Sequence, residues 1–484
     1  MEQTPQQALD FRQLLTETLP LAETFRRAGF RLYLVGGIVR DVLCGRHSPT
    51  LDIDLTTDAL PDDIEALVRG LHPRALWLQG KRFGTVGATF IGPDGQDRAY
   101  EITTHRSDDY DARSRKPSVA FSTSIVADLS RRDFTINAIA LDAIARDASS
   151  FGADNPVLID PVLIDPVLID PVLIDPVLID PFGGADDLAA NVLRTPVDPE
   201  ISFTDDPLRM LRAARFVAGF SLVPVPALVA AAVALRYRLV IVSAERVRDE
   251  FVKLLLLDRP GRGLDFLADT GLLHEFFPEL DGLVSDANVR ARSSEALAAS
   301  PMDEIVRLCV LFSVGVGDLA AVDRSRSAER RLRDLRCSLD VVDAVTALLE
   351  IRATFSMPTD VRSVREFVRT AGPHRSRFLR LIEVIGLGEP DQDGGRGAPG
   401  ASNVADPDRA AHVAQLVADL EQAEGLVMAP ALDGNAVMAH LHIGPGRDVG
   451  EAIGFLTELR LTRGVISETA AQAALDRWWS ERRS

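Results

Sequence analysis

The sequence predicts an α/β head with a mixed sheet, followed by an all-α neck, body and tail. Three observations carry this reading. Strand-type and helix-type patterns interleave through roughly the first 150 residues. After residue 185 the pattern is helical almost to the end. And 484 residues are too many for one hydrophobic core, so two to four domains are expected.

Taken in order, residues 8–29 read as an amphipathic helix leading into a strand at 31–35. Residues 32–57, LYLVGGIVRDVLCGRHSPTLDIDLTT, organise the rest. Their apolar run ends in Gly36-Gly37, a short amphipathic segment carries Arg40 and Asp41, and Asp52 and Asp54 lie in a second apolar run. Strand side chains alternate faces, so Asp52 and Asp54 point one way while Leu51, Ile53 and Leu55 point the other. Two carboxylates on one strand face repel unless a cation lies between them. Hard oxygen donors suit Mg²⁺, with Mn²⁺ as the other candidate, and Mg²⁺ held so also takes substrate phosphates. Paired glycines let backbone N–H groups approach an anion at a helix start. A phosphate grip beside a metal site points to nucleotidyl transfer. The plainer alternative is an edge strand with a polar face.

Residues 58–71 read as a helix with Asp58 as its cap and Pro61 in its first turn. Strands are expected at 75–79, 84–91 and 98–104, the last two joined as a hairpin through GPDGQD. Glu101 lies on a strand expected beside the Asp52 strand. There it is a candidate third carboxylate that orients or deprotonates an attacking hydroxyl. Pairing with a nearby arginine is its other reading. Residues 105–124 are polar and read as a mobile loop, and a helix is expected at about 130–140. Arg131, Arg132 and Asp133 cluster at its start; arginines suit phosphates and an Asp suits a ribose hydroxyl. In FTDDPLRMLRAARF (203–216) Pro207 fits a first helical position, with Asp206 and Arg209 side by side and Arg212 and Arg215 continuing that edge. Such a pair offers an acceptor and a donor to a base edge. Otherwise Asp206 is only a cap.

Residues 156–180 are five copies of PVLID. Proline at every fifth position blocks a continuous helix and a central strand. The last copy runs into DPFGG and is taken as the original, with the earlier four as an extruded expansion. Residues 390–408 have the composition of a linker. Helices are expected at 408–425 and 447–482. No apolar run has membrane-span length, and the first residues lack a signal pattern, so a cytoplasmic protein is expected. Cys44, Cys309 and Cys337 form no CxxC pair. A net charge of −18 argues against broad, non-specific nucleic-acid binding but leaves a local basic stripe open.

Together, LVGGIVRDVLCG with LDIDLTT, RRDFTINAIA, DPFGGADDL and DDPLRMLRAARF resemble, in their order, the class II tRNA nucleotidyltransferase and bacterial poly(A) polymerase family, part of the polymerase-beta superfamily. The resemblance covers roughly residues 10–280, and residues 432–464 look like the tail of bacterial members. It implies a nucleotidyltransferase head at 1–150, the repeat and head–neck junction at 151–185 and a helical neck at 186–285. A helical body at 286–389, the linker at 390–408 and a helical tail at 409–484 complete the division. The implied activity is addition of C, C and A to tRNA 3′ ends from CTP and ATP, with no membrane or DNA partner. Poly(A) addition, partial CC or A addition, and a non-catalytic RNA-binding relative are the alternatives. In the implied site Asp52 and Asp54 hold the metal, Gly37 and Arg40 contact the triphosphate with Gly36 beside them, and Arg131 or Arg132 also grips phosphates. Glu101 lies outside what the resemblance implies and stays the candidate third carboxylate read from its strand. Asp133 lies near the ribose, Asp206 and Arg209 read the base, and Arg212 and Arg215 support the nucleotide. The polar stretch at 105–118 matches the loop associated with switching from C to A. Three departures stand out, the first being the PVLID expansion between RRDFTINAIA and the neck, placed where it would disturb the head–neck hinge. Asp205 replaces the usual Glu of the base-reading motif, and in RLCVLFSVGVGD (307–318) Ser313 and Val314 replace the His-Asp of a metal phosphohydrolase, so no hydrolase activity is expected.

Overall fold

A computed structural model describes residues 5–46, 52–92, 94–109, 118–143, 177–316, 321–386 and 407–483. The chain divides into two compact units, Met1–Ser243 with Asp269–Glu275 and Ala244–Ala268 with Phe276–Ser484.

The first unit begins with α1 (Pro5–Arg27), β1 (Leu32–Val35), α2 (Gly37–Leu43), β2 (Asp52–Thr57) and α3 (Pro61–Gly70). It continues through β3 (Ala75–Trp77), β4 (Thr85–Ile91), β5 (Asp97–Thr104), β6 (Arg106–Asp109), β7 (Ser118–Phe121), α4 (Ile125–Ser130), β8 (Ala140–Asp142) and β9 (Val177–Ile179). A seven-stranded sheet runs β3-β4-β5-β2-β1-β8-β9. Only β2 and β5 pair in parallel, so the sheet is mixed. All four residues of β1, LYLV, are buried, as expected of a strand covered on both faces. Along β2, Ile53 and Leu55 are buried while Asp54 is exposed, and Thr56, on the Asp54 face, is buried against Asp128. The β4–β5 hairpin forms as the turn residues require.

Three local expectations are corrected. Asp58 does not cap α3: that position is Leu60, and Asp58 instead accepts the Arg31 N–H at 2.8 Å. The expected loop at 105–124 contains a two-stranded sheet of β6 and β7, registered Arg106↔Phe121; residues 110–117 lie outside the described residues. The helix expected at 130–140 lies earlier, where Ser124 caps α4 by accepting the Ala127 N–H. Beyond Arg131 the chain passes through a short 3-10 turn, Thr135–Asn137, into β8. Ile136 and Ile139 mimic a helical stripe; both are buried, but in the 3-10 turn and just before β8, not on an α-helix.

The last PVLID copy supplies β9, whose Leu178 pairs with Leu141 of β8, and its Asp180 accepts the N–H groups of Gly184 and Ala185 at 2.7 and 2.9 Å. Burial raises the Asp180 pKa, and those two N–H groups oppose the rise. The earlier four copies lie outside the described residues. A Cβ on Gly184 would come within 2.0 Å of the Thr135 carbonyl oxygen, so only glycine lets DPFGG pack on this turn. The unit closes with α5 (Gly184–Ala189), β10 (Val192–Leu193), α6 (Pro199–Asp205), α7 (Leu208–Gly219), β11 (Val223–Pro224) and α8 (Pro226–Leu235). Pro207 occupies the N-cap of α7 rather than its first helical position.

The helices α9 (Ala244–Leu255), α10 (Gly261–Asp269) and α11 (Leu272–Phe276) follow, then α12 (Asp281–Ser285), α13 (Ala287–Ala299) and α14 (Glu304–Val310). The rest are α15 (Ala321–Asp334), α16 (Leu339–Thr354), α17 (Val361–Ala371), α18 (Arg375–Ile385), α19 (Pro407–Glu424), α20 (Gly434–Leu441), α21 (Arg447–Arg463) and α22 (Glu468–Arg483). The second unit is entirely helical among the described residues. Phe277 is its aromatic hub, with ring centroids 5.4 Å from both Phe251 and Phe312. RLCVLFSVGVGD runs from α14 into one π turn, Leu311–Gly315, which buries Ser313 and Val314. Glu424 of α19 pairs with Arg365 of α17 and Arg460 of α21 at 2.7 and 2.6 Å, pinning three helices together. Among the described residues no helix is long and apolar enough to cross a membrane.

Candidate active site

The parallel pairing of β2 with β5 places Asp54 directly opposite Glu101, and both are exposed. Paired residues of neighbouring strands share a face, so these two carboxylates stand together on the wet side of the sheet. Asp52 lies on the same strand opposite Ala99.

Gly36 closes the site from the β1–α2 turn. Its φ of 77° and ψ of −135° belong to glycine, and a Cβ there would come within 3.1 Å of Arg132 Nη1 and 3.8 Å of Asp54 Oδ2. Gly36, Arg132 and Asp54 therefore meet at one point. Arg132 Nε is buried and has no partner among the described residues, and of its donors Nη2 reaches Asp128 Oδ2 at 3.3 Å. A Gly36→Ala substitution meets both the backbone strain, about 1–3 kcal/mol, and the arginine. The expected result is a loss of at least about tenfold in kcat/KM of the transfer reaction, read in steady-state assays.

A second group lies behind the first. Arg40 donates from Nε and Nη2 to Asp41 Oδ1 at 2.9 and 2.7 Å, and from Nη1 to Asn137 Oδ1 at 2.6 Å. Its guanidinium lies 4.4 Å from the Phe220 ring centroid. Gly37 is adjacent, and a Cβ there would lie 3.5 Å from Arg40 Nη2. Asp133 accepts from its neighbours on both oxygens: Oδ1 takes the Phe134 N–H and Asn137 Nδ2, both at 2.9 Å. Oδ2 takes Arg212 Nε and Nη2 at 2.8 and 2.6 Å. Burial would raise the Asp133 pKa, but Arg212 foremost, then Asn137 and Arg209, hold it below the ordinary carboxylate value.

Arg209 is buried. Its Nη1 reaches Ser202 Oγ at 2.8 Å and its Nη2 reaches the Arg131 carbonyl, which ties α7 to the end of α4. Asp206 ends α6 and accepts the Leu208 N–H at 3.2 Å, while Arg215 lies over the Phe216 ring at 4.9 Å. So Arg209 and Arg212 face the RRDF segment, and Asp206 stands at the break between α6 and α7. Two contributors do not stand out in the sequence. Asp128 precedes Arg131 and Arg132 by three and four residues, a helical ion-pair spacing, and Asn137 follows Asp133 by four.

Residues 32–162 match the family described as the poly A polymerase head domain, and residues 225–283 match that of the "Probable RNA and SrmB- binding site of polymerase A". A CCA-adding enzyme of Geobacillus stearothermophilus is 31% identical over 379 residues, covering 77% of this chain and 79% of that protein. The chain belongs to the CCA-adding enzyme family. A CCA-adding enzyme of Bacillus licheniformis is 36% identical over 270 residues, 56% of this chain and 57% of that relative. The fold is similar: the crystal structure of the Bacillus stearothermophilus CCA-adding enzyme in complex with CTP matches with a TM-score of 0.67 and 27% identity, covering 97% of this chain and 98% of that one. CCA-adding nucleotidyltransferases are metal-dependent. Carboxylates on one wet face of β2 and β5 are the oxygen donors such chemistry requires. Among the described residues no group of three or more His, Cys, Asp or Glu converges on a metal position.

Proposed function

We propose that the protein adds C, C and A to tRNA 3′ ends from CTP and ATP, without a nucleic-acid template, in the cytoplasm. The observation that carries this is the pairing of Asp54 with Glu101 on one exposed sheet face, with Gly36 and Arg132 against Asp54. The tRNA 3′-hydroxyl attacks the α-phosphate; the new O–P bond forms as the bond to the β-phosphate breaks, and pyrophosphate leaves. Asp52 and Asp54 would hold Mg²⁺, or Mn²⁺ with the same donors. Bound there, the cation supplies positive charge for the developing charge on the phosphates. Glu101 orients the attacking hydroxyl and receives its proton. Arg131 and Arg132, with the backbone at Gly36 and Gly37 and with Arg40, hold the triphosphate. Asp133 is near the ribose. Asp206 and Arg209 read the base, Arg209 by giving up its hold on Ser202 or the Arg131 carbonyl, and Arg212 and Arg215 keep that helix edge in place. The head (1–150) does the chemistry, the neck (186–285) presents the base-reading helix, and body (286–389) and tail (409–484) carry the tRNA.

The test is incubation of purified protein with tRNA transcripts ending before CCA, CA or A, with CTP, ATP or both. Growth to CCA followed by a stop is the expected result. Long A tails on unrelated RNA would replace this reading with poly(A) addition, a halt at CC or a requirement for a CC end with partial addition, and no extension with a non-catalytic relative.

A further inference from the structure

Asp128 is the most completely buried carboxylate of the site, its side chain 1% exposed. Four groups from different places converge on it. Oδ1 accepts Arg131 Nε at 3.0 Å and the backbone N–H of Arg106 at 3.3 Å. Oδ2 accepts Arg132 Nη2 and the Thr56 hydroxyl, each at 3.3 Å. Thr56 belongs to β2, two residues after Asp54, and Arg106 opens the β6–β7 hairpin. Burial would raise the Asp128 pKa, but Arg132 and Arg131 outweigh it and hold it low, so the group is a carboxylate at neutral pH.

We propose that Asp128 is a positioning residue for the nucleotide's phosphates, setting both arginines against the metal strand and the base of the hairpin. The inference rests on the proposed function, because it gives Arg131 and Arg132 a triphosphate to hold. A long arginine side chain on a surface samples many rotamers, and ordering it when the ligand arrives costs affinity. A buried carboxylate at the root of two arginines removes that cost beforehand. Arg132 shows the outcome, with Nη2 on Asp128 and Nη1 beside Gly36 and Asp54. Because Arg209 donates to the Arg131 carbonyl, the same anchor also fixes the residue beneath the base-reading edge.

A purely structural role predicts something different: lower stability with unchanged kinetics in the folded fraction. Glu17→Gln serves as the comparison. Glu17 is a buried carboxylate on α1 beside Arg98, 5% exposed and outside the site. The experiment measures melting temperature, KM and kcat for CTP and ATP, and the CTP dissociation constant by calorimetry with Mg²⁺ and without tRNA. Asp128→Asn is expected to raise KM and the CTP dissociation constant about tenfold, with kcat and the tRNA KM within about threefold of wild type. Glu17→Gln is expected to change only the melting temperature. Asp128→Glu, which keeps the charge but pushes both arginines outward, gives the same KM rise and covers failure of the amide variant to fold. Nucleotide affinity unchanged in either folded Asp128 variant overturns the proposal. A wild-type protein that binds CTP but extends no tRNA refutes the function reading alone, and the calorimetric comparison still decides the role of Asp128. Absence of CTP binding by wild type overturns both.

Discussion

Asp54→Asn is expected to lower kcat for CTP and ATP incorporation at least about a thousandfold, some 4 kcal/mol of transition-state stabilisation. The substitution keeps the shape of the side chain and removes the negative charge. Asp54 is exposed on β2, so neutralising it leaves no buried cavity or orphaned core group, and the melting temperature should move little. Its amide no longer balances a divalent cation, and the charge developing on the α-phosphate and the leaving pyrophosphate goes unopposed. Asp52→Ala should behave likewise, whereas tRNA affinity in a gel-shift titration should stay within about threefold of wild type for both. Glu101→Gln grades the series. As the group receiving the hydroxyl proton it is expected to cost about a hundredfold in kcat, with an altered pH–rate profile. Full activity in Asp54→Asn would refute the metal role of the β2 face. Full activity in Glu101→Gln would reduce that residue to a polar strand position.

The parts of this site differ in how openly the sequence announced them, for physical reasons. The alternation in LDIDLTT has a period of two residues, and that alone separates Asp54 from Ile53 and Leu55. The neighbour of β2 is a tertiary choice, yet Glu101 comes opposite Asp54 because the single parallel pair of the sheet lies there. RRDFTINAIAL misled because Ile136 and Ile139 are spaced as on a helix face. The chain instead turns at Thr135–Asn137, with the Thr135 hydroxyl on Asp187 at 2.6 Å and Asn137 between Arg40 and Asp133. The bonds from Thr135 to Asp187 and from Arg40 to Asn137 join residues about fifty to a hundred positions apart, which no local pattern contains. Arg209 illustrates a further limit. Its spacing with Arg212 and Arg215 suggests one solvent edge, but α7 packs that edge against the RRDF segment, and Arg209 is buried on Ser202 and the Arg131 carbonyl. Asp128 does not stand out in the sequence, although its spacing to two arginines is that of a helical ion pair. Its other two partners, Thr56 and the Arg106 N–H, come only with the fold.

Arg212→Leu is expected to destabilise the first unit by about 3 kcal/mol, because it leaves the Asp133 carboxylate buried without its cation. Asp133 has a side chain only 10% exposed, and Arg212 supplies both donors to Oδ2. Removing them leaves the Phe134 N–H and Asn137 on Oδ1. In thermal unfolding, the loss corresponds to about 6–12 °C for a unit of this size. Asp133→Asn should cost less, since it removes the charge as well as the partner, and the double variant should be less destabilised than the sum of the two. The pH dependence provides an independent check. Because the native Asp133 pKa is depressed, its contribution is full above the ordinary Asp value of about 3.9 and is lost as pH falls through the native value. Wild type should therefore lose stability more steeply than Asp133→Asn below about pH 4. Equal acid slopes would show that Asp133 is not held by Arg212 in solution. The same bonds bear on the nucleotide: with both oxygens already accepting two donors each, Asp133 meets a ribose hydroxyl only by loosening its hold on Arg212 or Asn137. With the ribose placed at Asp133 as proposed, nucleotide entry and repositioning of the α7 edge through Arg212 are one event, and the acid slopes that test the Asp133–Arg212 pair bear on both.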